Sequence, residues 1–375
     1  MSICNLKEQI KKIEFFKPYN IVIFGHLAIF LLAIPYYHKL GFINIVKMLI
    51  IISIFIFFFY LPHKYNFKIE KNKIFIYIIS TILFVLSFYG AFYSTNSLIL
   101  SFVYSVFLFV VIYLYKNLKD SEIFTNFMFF LGFTSFIILI NKYGGIPLFD
   151  YSIRMAINTE PLRLIAMGGL IYGSLNNKFR AVVSFMLLVL LGYKIGVLLL
   201  VFSYIYYNYK NNLRVIFISL ILLFIVMNIM GYIIIKVSPQ MWKISPIEFL
   251  SYRAYFDLYV FSKIINSNII TLGKILFTPN GERFVGELLY NYKANLTTTM
   301  FGTVYLDFNI FGVVLAFIIG YLSKILYYGD KKIYAIYASL LLAYCDIGIN
   351  FGFLVTLFLM VLASTIVKED KIWKD

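Results

Sequence analysis

Long uninterrupted apolar runs constrain this chain more than any other feature. Several of them reach the roughly 20 residues that an α-helix needs to cross the hydrocarbon core of a bilayer. The composition agrees, with 62% hydrophobic and 13% charged residues and a mean hydropathy of +0.88. A membrane β-barrel would instead show short segments of alternating polarity. The sequence therefore predicts an all-α fold, a polytopic transmembrane helical bundle.

The apolar runs predict about twelve spans. Those between residues 161 and 208 are short and run together, so their number depends on how they are divided. No low-complexity linker or exact repeat interrupts the chain, and we expect residues 1–375 to form a single membrane domain. The predicted spans are residues 18–36, 42–62, 73–93, 96–115, 123–141, 161–175, 178–192, 195–208, 214–236, 300–326, 332–345 and 348–367.

The basic residues predict an orientation, because lysine and arginine in short loops favour the cytoplasmic side. Most of the 33 basic residues fall in the two tails and in alternate short loops. We therefore expect a multi-pass protein of the cell membrane with both termini, residues 1–17 and 368–375, in the cytoplasm. No small-residue cleavage site follows the first span, so no removable signal peptide is expected. Residues 142–160 then form an outer loop, and residues 237–299 form a large helical outer loop before the tenth span.

The net charge of +16 indicates topology and contact with anionic membrane lipid. The basic residues are scattered over many short loops, which argues against a nucleic-acid partner. Cys4 and Cys345 fall in the inner tail and within a span, so no disulfide is expected. With three scattered histidines and no paired cysteines, we expect no metal and no cofactor. We expect His26, inside the first span, to be a packed side chain.

Arginine is placed differently from lysine in this chain. A guanidinium group matches phosphate oxygens with a planar fork of donors, whereas lysine is a point charge. The alternatives are that these arginines reach lipid headgroups or, for two of them, pair with the neighbouring carboxylates of Asp257 and Glu282. We predict instead that they converge in one polar pocket. Four of the six arginines lie in the two expected outer segments: Arg154, Arg163, Arg253 and Arg283.

Local signals predict the structure of both outer segments. Gly144, Gly145 and Pro147 end the fifth helix. Residues 245–248 (Ser-Pro-Ile-Glu) read as a capping box that begins a helix. On that helix Arg253 and Asp257, spaced i and i+4, share a face and could form an ion pair. A second helix is expected after residues 278–281 and carries Glu282, Arg283 and Glu287.

Carboxylates near the outer ends of spans are functional candidates, because an unpartnered charge there is costly. Asp307 lies near the outer end of the tenth span and Asp346 near that of the eleventh. Pairing with an arginine of the outer loop is the structural alternative for Asp307. A carboxylate at such a position could take the proton from an acceptor hydroxyl.

Two stretches resemble the oligosaccharide repeat-unit polymerases, the O-antigen polymerase family and its archaeal relatives. Residues 144–149 (Gly-Gly-Ile-Pro-Leu-Phe) with Arg154 downstream resemble that family's Gly-Ile-Pro-then-Arg loop. Asn309 stands where the family usually has glycine, which bears on the local backbone turn. The second stretch, which resembles the family's threonine-then-Asp-Phe-Gly entry into a late span, comprises Thr297, Thr298, Thr299, Gly302, Tyr305, Asp307, Phe308, Gly312 and Gly320.

The resemblance implies that a glycan leaves a polyprenyl diphosphate carrier and joins the acceptor sugar of a lipid-linked repeat unit. It implies that Arg154 contacts the glycan diphosphate and that Asp307 belongs to the motif. A chain-length regulator is left open as a further partner. Our own reasoning predicts catalytic roles for Arg253, Arg283 and Asp307, the last as a base. We predict that the remaining substrate contacts come from Arg163, Glu160, Asp257 and Tyr305.

Four other classes of protein are alternatives to this interpretation. Ligases with the same architecture carry a histidine in the large outer loop, and residues 237–297 contain none. Large lipid-dependent glycosyltransferases carry acidic residues in the first outer loop, and residues 37–41 contain none. A flippase or transporter would favour charges near the bilayer midplane, whereas here they lie near the outer ends of spans. A membrane scaffold without chemistry is the fourth alternative.

Overall fold

The computed structural model describes residues 14–65, 73–210, 212–239, 244–293 and 295–369. In these ranges every regular element is a helix, which confirms the all-α prediction. Three short 3-10 turns occupy Ile34–Tyr36, Ile157–Thr159 and Asn309–Gly312. The α-helices of the described ranges are α1 (Pro18–Ala33), α2 (Tyr37–Leu40), α3 (Phe42–Lys64), α4 (Lys73–Thr95), α5 (Leu98–Leu118), α6 (Glu122–Tyr143), α7 (Tyr151–Ala156), α8 (Pro161–Ser174), α9 (Lys178–Leu190), α10 (Lys194–Tyr209), α11 (Leu213–Val237), α12 (Glu248–Asn266), α13 (Glu282–Tyr290), α14 (Gly302–Phe308), α15 (Val313–Tyr327), α16 (Lys331–Ile347) and α17 (Phe351–Glu369).

Seven helical segments of the described chain are long and apolar enough to cross a membrane. They are Pro18–Leu40, Phe42–Lys64, Lys73–Thr95, Leu98–Leu118, Glu122–Tyr143, Leu213–Val237 and Gly302–Tyr327. A shorter apolar helix covers Phe351–Val367. Helices α8, α9 and α10 contain 14, 13 and 16 residues, fewer than the roughly 20 that span a bilayer. The structure thus supports a multi-pass membrane protein, whereas the number of twelve spans stays a prediction.

Packing divides the described chain into two compact units. The first takes in the described parts of Met1–Ile21, Asp120–Tyr252 and Ala338–Ala343. The second takes in the described parts of Val22–Lys119, Arg253–Tyr337 and Tyr344–Asp375. The single membrane domain and the boundaries of its outer loops and tails stay predictions.

In the first unit, α6 and α8 pack with their backbones in near contact. A Cβ atom added to Gly132 would lie 2.5 Å from the Leu170 amide nitrogen. One added to Gly173 would lie 2.5 Å from the Phe129 amide nitrogen. Small residues permit this approach between helices in lipid, where packing replaces the hydrophobic drive. Because α6 and α8 pack together, the segment that connects them is held at both ends. Helices α9 and α10 pack beside α8.

In the second unit, α3 packs along α15, and α17 packs against α4, α5 and α15. Gly320 of α15 lies so close to the Phe59 carbonyl that a side chain there would collide with it. At the end of α3, Lys324 Nζ donates to the carbonyl oxygens of Pro62 and Tyr65, each at 2.9 Å. A buried ammonium group thus caps helix carbonyls that lack an intrahelical partner.

Helices α12 and α13 lie in the segment between α11 and α14, where two helices were predicted. The Ser245 amide donates to the Glu248 carboxylate at 3.1 Å, which is one half of the predicted capping box. Helix α12 itself begins at Glu248, two residues after the expected proline. Helix α13 begins at Glu282, directly after the predicted start signal.

Asn309 separates α14 from α15 within the tenth predicted span. Its φ of 51° and ψ of −140° lie in a backbone region that favours glycine. The Asn309 side-chain oxygen accepts a hydrogen bond from the Ile310 amide at 2.6 Å. The backbone at this turn therefore has a conformation that suits glycine. In this chain an asparagine adopts it.

Candidate functional site

Arg154, Arg163, Asn158 and Tyr193 form a cluster in the first unit, here called the arginine–tyrosine cluster. Helix α6 ends at Gly144, which adopts φ +71°. The chain then turns into α7, which carries Arg154, while α8 carries Arg163. Gly192 precedes the tyrosine with φ +74°, and a Cβ atom there would lie 3.5 Å from Arg154 Cδ. Two turns and two short helices thus place both guanidinium groups beside one ring.

Both arginines of this cluster lie over the face of Tyr193. Arg163 Cζ is 4.3 Å and Arg154 Cζ is 5.7 Å from the ring centroid. The Tyr193 hydroxyl donates to the Arg154 carbonyl at 3.2 Å and lies 3.3 Å from Asn158 Oδ1. Arg163 Nη1 donates to the same Asn158 oxygen at 2.8 Å. Cation–π contacts of this kind hold the guanidinium planes without neutralising them.

The described surroundings give neither arginine a carboxylate partner. The buried Nε atoms of Arg154 and Arg163 make no hydrogen bond to a described residue. Burial lowers the pKa of Arg154, and the nearby Arg163 charge acts in the same direction. Arg154 nonetheless stays cationic, because an arginine side chain is protonated at neutral pH in proteins. Two adjacent, partly desolvated cations with free donors suit an anionic ligand such as a phosphate.

Glu160 lies close in sequence to Arg163 but binds elsewhere. Its carboxylate accepts hydrogen bonds from Lys142 and, at 2.5 Å, from the Tyr143 hydroxyl. These two bonds lower the pKa of Glu160. The predicted role of Glu160 as a substrate contact therefore stays a prediction, and its charge is already compensated.

A second cluster, within the second unit, comprises Arg253, Asp257, Thr297 and Asp346 and is here called the carboxylate cluster. Arg253 Nη2 lies 3.5 Å from Asp257 Oδ1, so the ion pair given above as the alternative for Arg253 is formed. The Thr297 hydroxyl accepts a hydrogen bond from Arg253 and donates to Asp257 Oδ1 at 2.6 Å. Arg253 Nε lies 3.8 Å from Asp346 Oδ2. Four polar side chains thus come together, from α12, from α16 and from the non-helical stretch before α14.

Backbone pairing holds Thr297 and Asp346 in place. The Met300 amide donates to the Cys345 carbonyl, and the Ile349 amide donates to the Met300 carbonyl, both at 3.1 Å. The Thr303 hydroxyl donates to the Ile349 carbonyl at 2.6 Å. Residues 297–300 therefore run beside residues 345–349, and no element of local sequence would predict this pairing.

Exposure separates the two carboxyl groups of the carboxylate cluster. The Asp257 side chain is 0% exposed, and the Asp346 side chain is 45% exposed. Burial raises the pKa of Asp257 well above its ordinary value, while the Arg253 charge opposes the rise and Asp346 adds to it. Asp257 Oδ2 receives no hydrogen bond from a described donor. Two adjacent carboxyl groups resist ionising together.

Asp307 has a different environment from the one that a base requires. It is fully buried, and its carboxylate accepts from the Thr271 hydroxyl and from the amides of Ile275 at 3.1 Å and Leu276 at 2.8 Å. No arginine pairs with it in the described chain. These contacts tie the loop before α13 to α14, so the geometry favours a structural role over the expected role as base.

The described contacts of Arg283 and Tyr305 are with residues outside both clusters. Arg283 is exposed, and its Nε donates to Asn295 at 3.3 Å. Its neighbour Glu282 accepts from Asn350, so the alternative pairing of Glu282 with Arg283 is not formed. Tyr305 is half-buried, with its ring 6.4 Å from that of Phe261. The catalytic role of Arg283 and the substrate contact of Tyr305 stay predictions, as does the convergence of all four arginines.

Sequence reasoning missed several partners in both clusters. Tyr193 and Asn158 carried no signal of their own, since a tyrosine is common in this chain. Asp346 was singled out as a costly carboxylate but was not joined to Arg253. In the described residues, no group of three His, Cys, Asp or Glu side chains could hold a metal ion.

A family model matches nearly the whole chain. Residues 14–362 match the model of the family described as "Putative O-antigen polymerase". The chain belongs to this family. It is also similar to an uncharacterised protein of Methanocaldococcus jannaschii, with 52% identity over 362 residues that cover 96% of this chain and 95% of that protein. No solved structure matches the chain.

Family membership confirms the resemblance inferred from the two sequence stretches. Together with the apolar helices it identifies a multi-pass membrane protein. The polymerase family implies a lipid-linked oligosaccharide as substrate. The carrier, the direction of transfer and the residues that act belong to the proposal below.

Proposed function

We propose that this protein polymerises lipid-linked oligosaccharide repeat units at the outer leaflet of the membrane. In this reaction a glycan leaves a polyprenyl diphosphate carrier and joins an acceptor sugar of a second lipid-linked unit. The family match supports this reaction class. We propose an orientation with both termini in the cytoplasm, which the distribution of lysine supports.

The arginine–tyrosine cluster carries the proposal. Breaking the bond between a sugar and a diphosphate places negative charge on the leaving group. Preorganised cations at that point stabilise the transition state, and the loss of one such donor costs about 10²- to 10³-fold in rate. Arg154 and Arg163 keep buried Nε donors free of described partners. They are therefore suited to the two phosphates of the leaving group.

Arg253 has a different proposed task. It already contacts Asp257 and Asp346, so its charge is largely compensated. We assign it to holding the carboxylate cluster in place and contacting the acceptor. The exposed Arg283 is proposed as a peripheral contact of the lipid-linked substrate.

Deletion of the gene, followed by gel analysis of lipid-linked glycans, tests the proposed function. A polymerase predicts that the ladder of long chains collapses to a single repeat unit. Wild-type protein should restore the ladder, and the Arg154→Ala variant at equal abundance should not. Unattached full-length polymer would instead mean a ligase. Accumulation of repeat units on the inner leaflet would mean a flippase, and either result overturns the proposal.

A further inference from the structure

The two carboxyl groups of the carboxylate cluster differ in a way that a purely structural ion pair does not require. Asp257 is enclosed, whereas nearly half of the Asp346 side chain is accessible. Asp346 and Asp257 are neighbours, since Arg253 contacts both. One Arg253 serves both groups at 3.5 and 3.8 Å. A single cation balances a single negative charge, so the pair is neutralised when it also holds one proton.

We propose that Asp346 is the catalytic base that takes the proton from the acceptor sugar hydroxyl, with Asp257 as its positioning residue. This inference rests on the proposed function and adds the residue that activates the acceptor. The carboxylate that accepts the proton must be reachable by a sugar, and of the two only Asp346 is exposed. Asp257 lies behind it, held by the Thr297 hydroxyl at 2.6 Å.

The groups that face the pair set the charge of each carboxyl group. Arg253 contacts both, Thr297 donates to Asp257 Oδ1, and Asp257 Oδ2 has no described donor. A proton on Asp257 would give that oxygen a hydrogen bond to share with Asp346. Burial and the neighbouring Asp346 favour the protonated form of Asp257 by raising its pKa. Asp346 keeps Arg253 as its neighbouring cation.

The other acidic candidates near the described sites already accept hydrogen bonds from neighbouring groups. Asp307 accepts from two amides and a hydroxyl. Glu160 accepts from Lys142 and Tyr143, and Glu282 accepts from Asn350. An accessible carboxylate whose partners leave it able to accept a proton is therefore found at Asp346.

The proposed step balances without any further reactant. The bond between the anomeric carbon and the diphosphate oxygen breaks, and its electron pair stays on the polyprenyl diphosphate. A bond forms between the anomeric carbon and the acceptor hydroxyl oxygen. The proton of that hydroxyl passes to the Asp346 carboxylate. General-base catalysis of this kind contributes about 10²- to 10⁴-fold in rate.

The test uses purified full-length protein in lipid vesicles that contain diphosphate-linked repeat units. Asp346→Asn removes the base and should slow polymer formation by about 10²- to 10⁴-fold with little change in KM for the lipid-linked donor. Asp257→Asn mimics the protonated acid, since its amide can donate to Asp346, and should slow the reaction by about tenfold at most. Glu287→Gln, an exposed carboxylate change on α13, serves as the matched control.

The pH dependence separates a base from a structural residue. A carboxylate base works only in its deprotonated form, so wild-type activity should fall at low pH, and the residual activity of Asp346→Asn should lack that limb. Equal losses in Asp346→Asn and Asp257→Asn with an unchanged pH profile would mean a structural ion pair and overturn the inference. Wild-type activity in Asp346→Asn would overturn it as well. Absence of polymer from the wild type would instead contradict the proposed function.

Discussion

At the scale of single residues, what distinguishes the cations of this chain is how fully their neighbours neutralise them. Lys119 pairs with Asp330 at 2.9 Å, and Arg253 contacts two carboxyl groups. Arg154 and Arg163 share a tyrosine face and have no carboxylate within the described surroundings. A bound anion would supply the charge that these two lack.

The contribution of Arg154 to the reaction should depend on the planar guanidinium group as well as on its charge. Replacement by alanine should reduce polymer formation by about 10²- to 10³-fold. Lysine keeps the charge but loses the planar fork, so it should restore only part of the rate. The measurement is the rate of chain growth in vesicles at equal protein abundance. Arg214→Ala, an exposed arginine at the start of α11, should leave the rate unaltered, and wild-type growth by Arg154→Ala would refute the assignment.

Asp257 should make the stability of the protein depend on pH. Its pKa is raised in the folded protein by burial and by Asp346. A group with a raised folded pKa contributes fully below its unfolded pKa, about 3.9 for aspartate, and the contribution is lost as the pH rises through the folded value. Asp257→Asn cannot ionise and should flatten this decline. Unfolding temperatures measured against pH test this, and parallel curves for the two proteins would contradict it.

At the scale of elements, apolar runs determine where the helices form, and glycine residues permit the closest contacts between them. Helices α6 and α8 approach at Gly132 and Gly169, and a Cβ atom added to Gly169 would lie 2.6 Å from the Met128 carbonyl oxygen. Backbone atoms cannot move aside as a flexible side chain would. The neighbouring Gly168 faces open space.

This pair of adjacent glycines gives a matched stability test. Gly169→Ala should destabilise the protein by about 1–3 kcal/mol through overpacking. Gly168→Ala should be neutral or slightly stabilising, because alanine has the higher helix propensity. Thermal unfolding in detergent compares the two variants directly. Equal unfolding temperatures for both would contradict the close packing of α6 and α8.

The sequence predicted elements better than it predicted contacts. Apolar runs located α3 to α6 within a few residues, and the spacing of Arg253 and Asp257 indicated that an ion pair could form, because both signals are local. Hydropathy could not reveal the break at Asn309, since an apolar run carries no information on φ. The contacts of Asp307 could not be predicted because its partners, at residues 271 and 275–276, are 31 or more residues away. Tyr193 was missed for the same reason.

At the scale of the whole molecule, the excess of 33 basic over 17 acidic residues predicts orientation. Residues 94–96 contain no basic side chain, whereas Lys116 and Lys119 follow the fourth predicted span. These two turns should therefore lie on opposite sides of the membrane. This expectation does not depend on how many of the shorter helices cross the membrane.

Single-cysteine labelling tests this orientation in a background with Cys4 and Cys345 replaced by serine. Asn96→Cys should react with an impermeant thiol reagent added to intact cells. Asn117→Cys should react only after the membrane is opened. Both positions are exposed in the structure. Labelling of Asn117→Cys in intact cells, with Asn96→Cys protected, would reverse the proposed topology.

We propose that this protein joins lipid-linked repeat units. The most direct measurement places the purified protein in vesicles whose only glycan is a defined repeat unit on polyprenyl diphosphate. Gel analysis and phosphate release are followed together. We predict a ladder of chain lengths, with one polyprenyl diphosphate freed for each new linkage. Repeat units that stay single, or that only change leaflet without releasing carrier, would contradict the account.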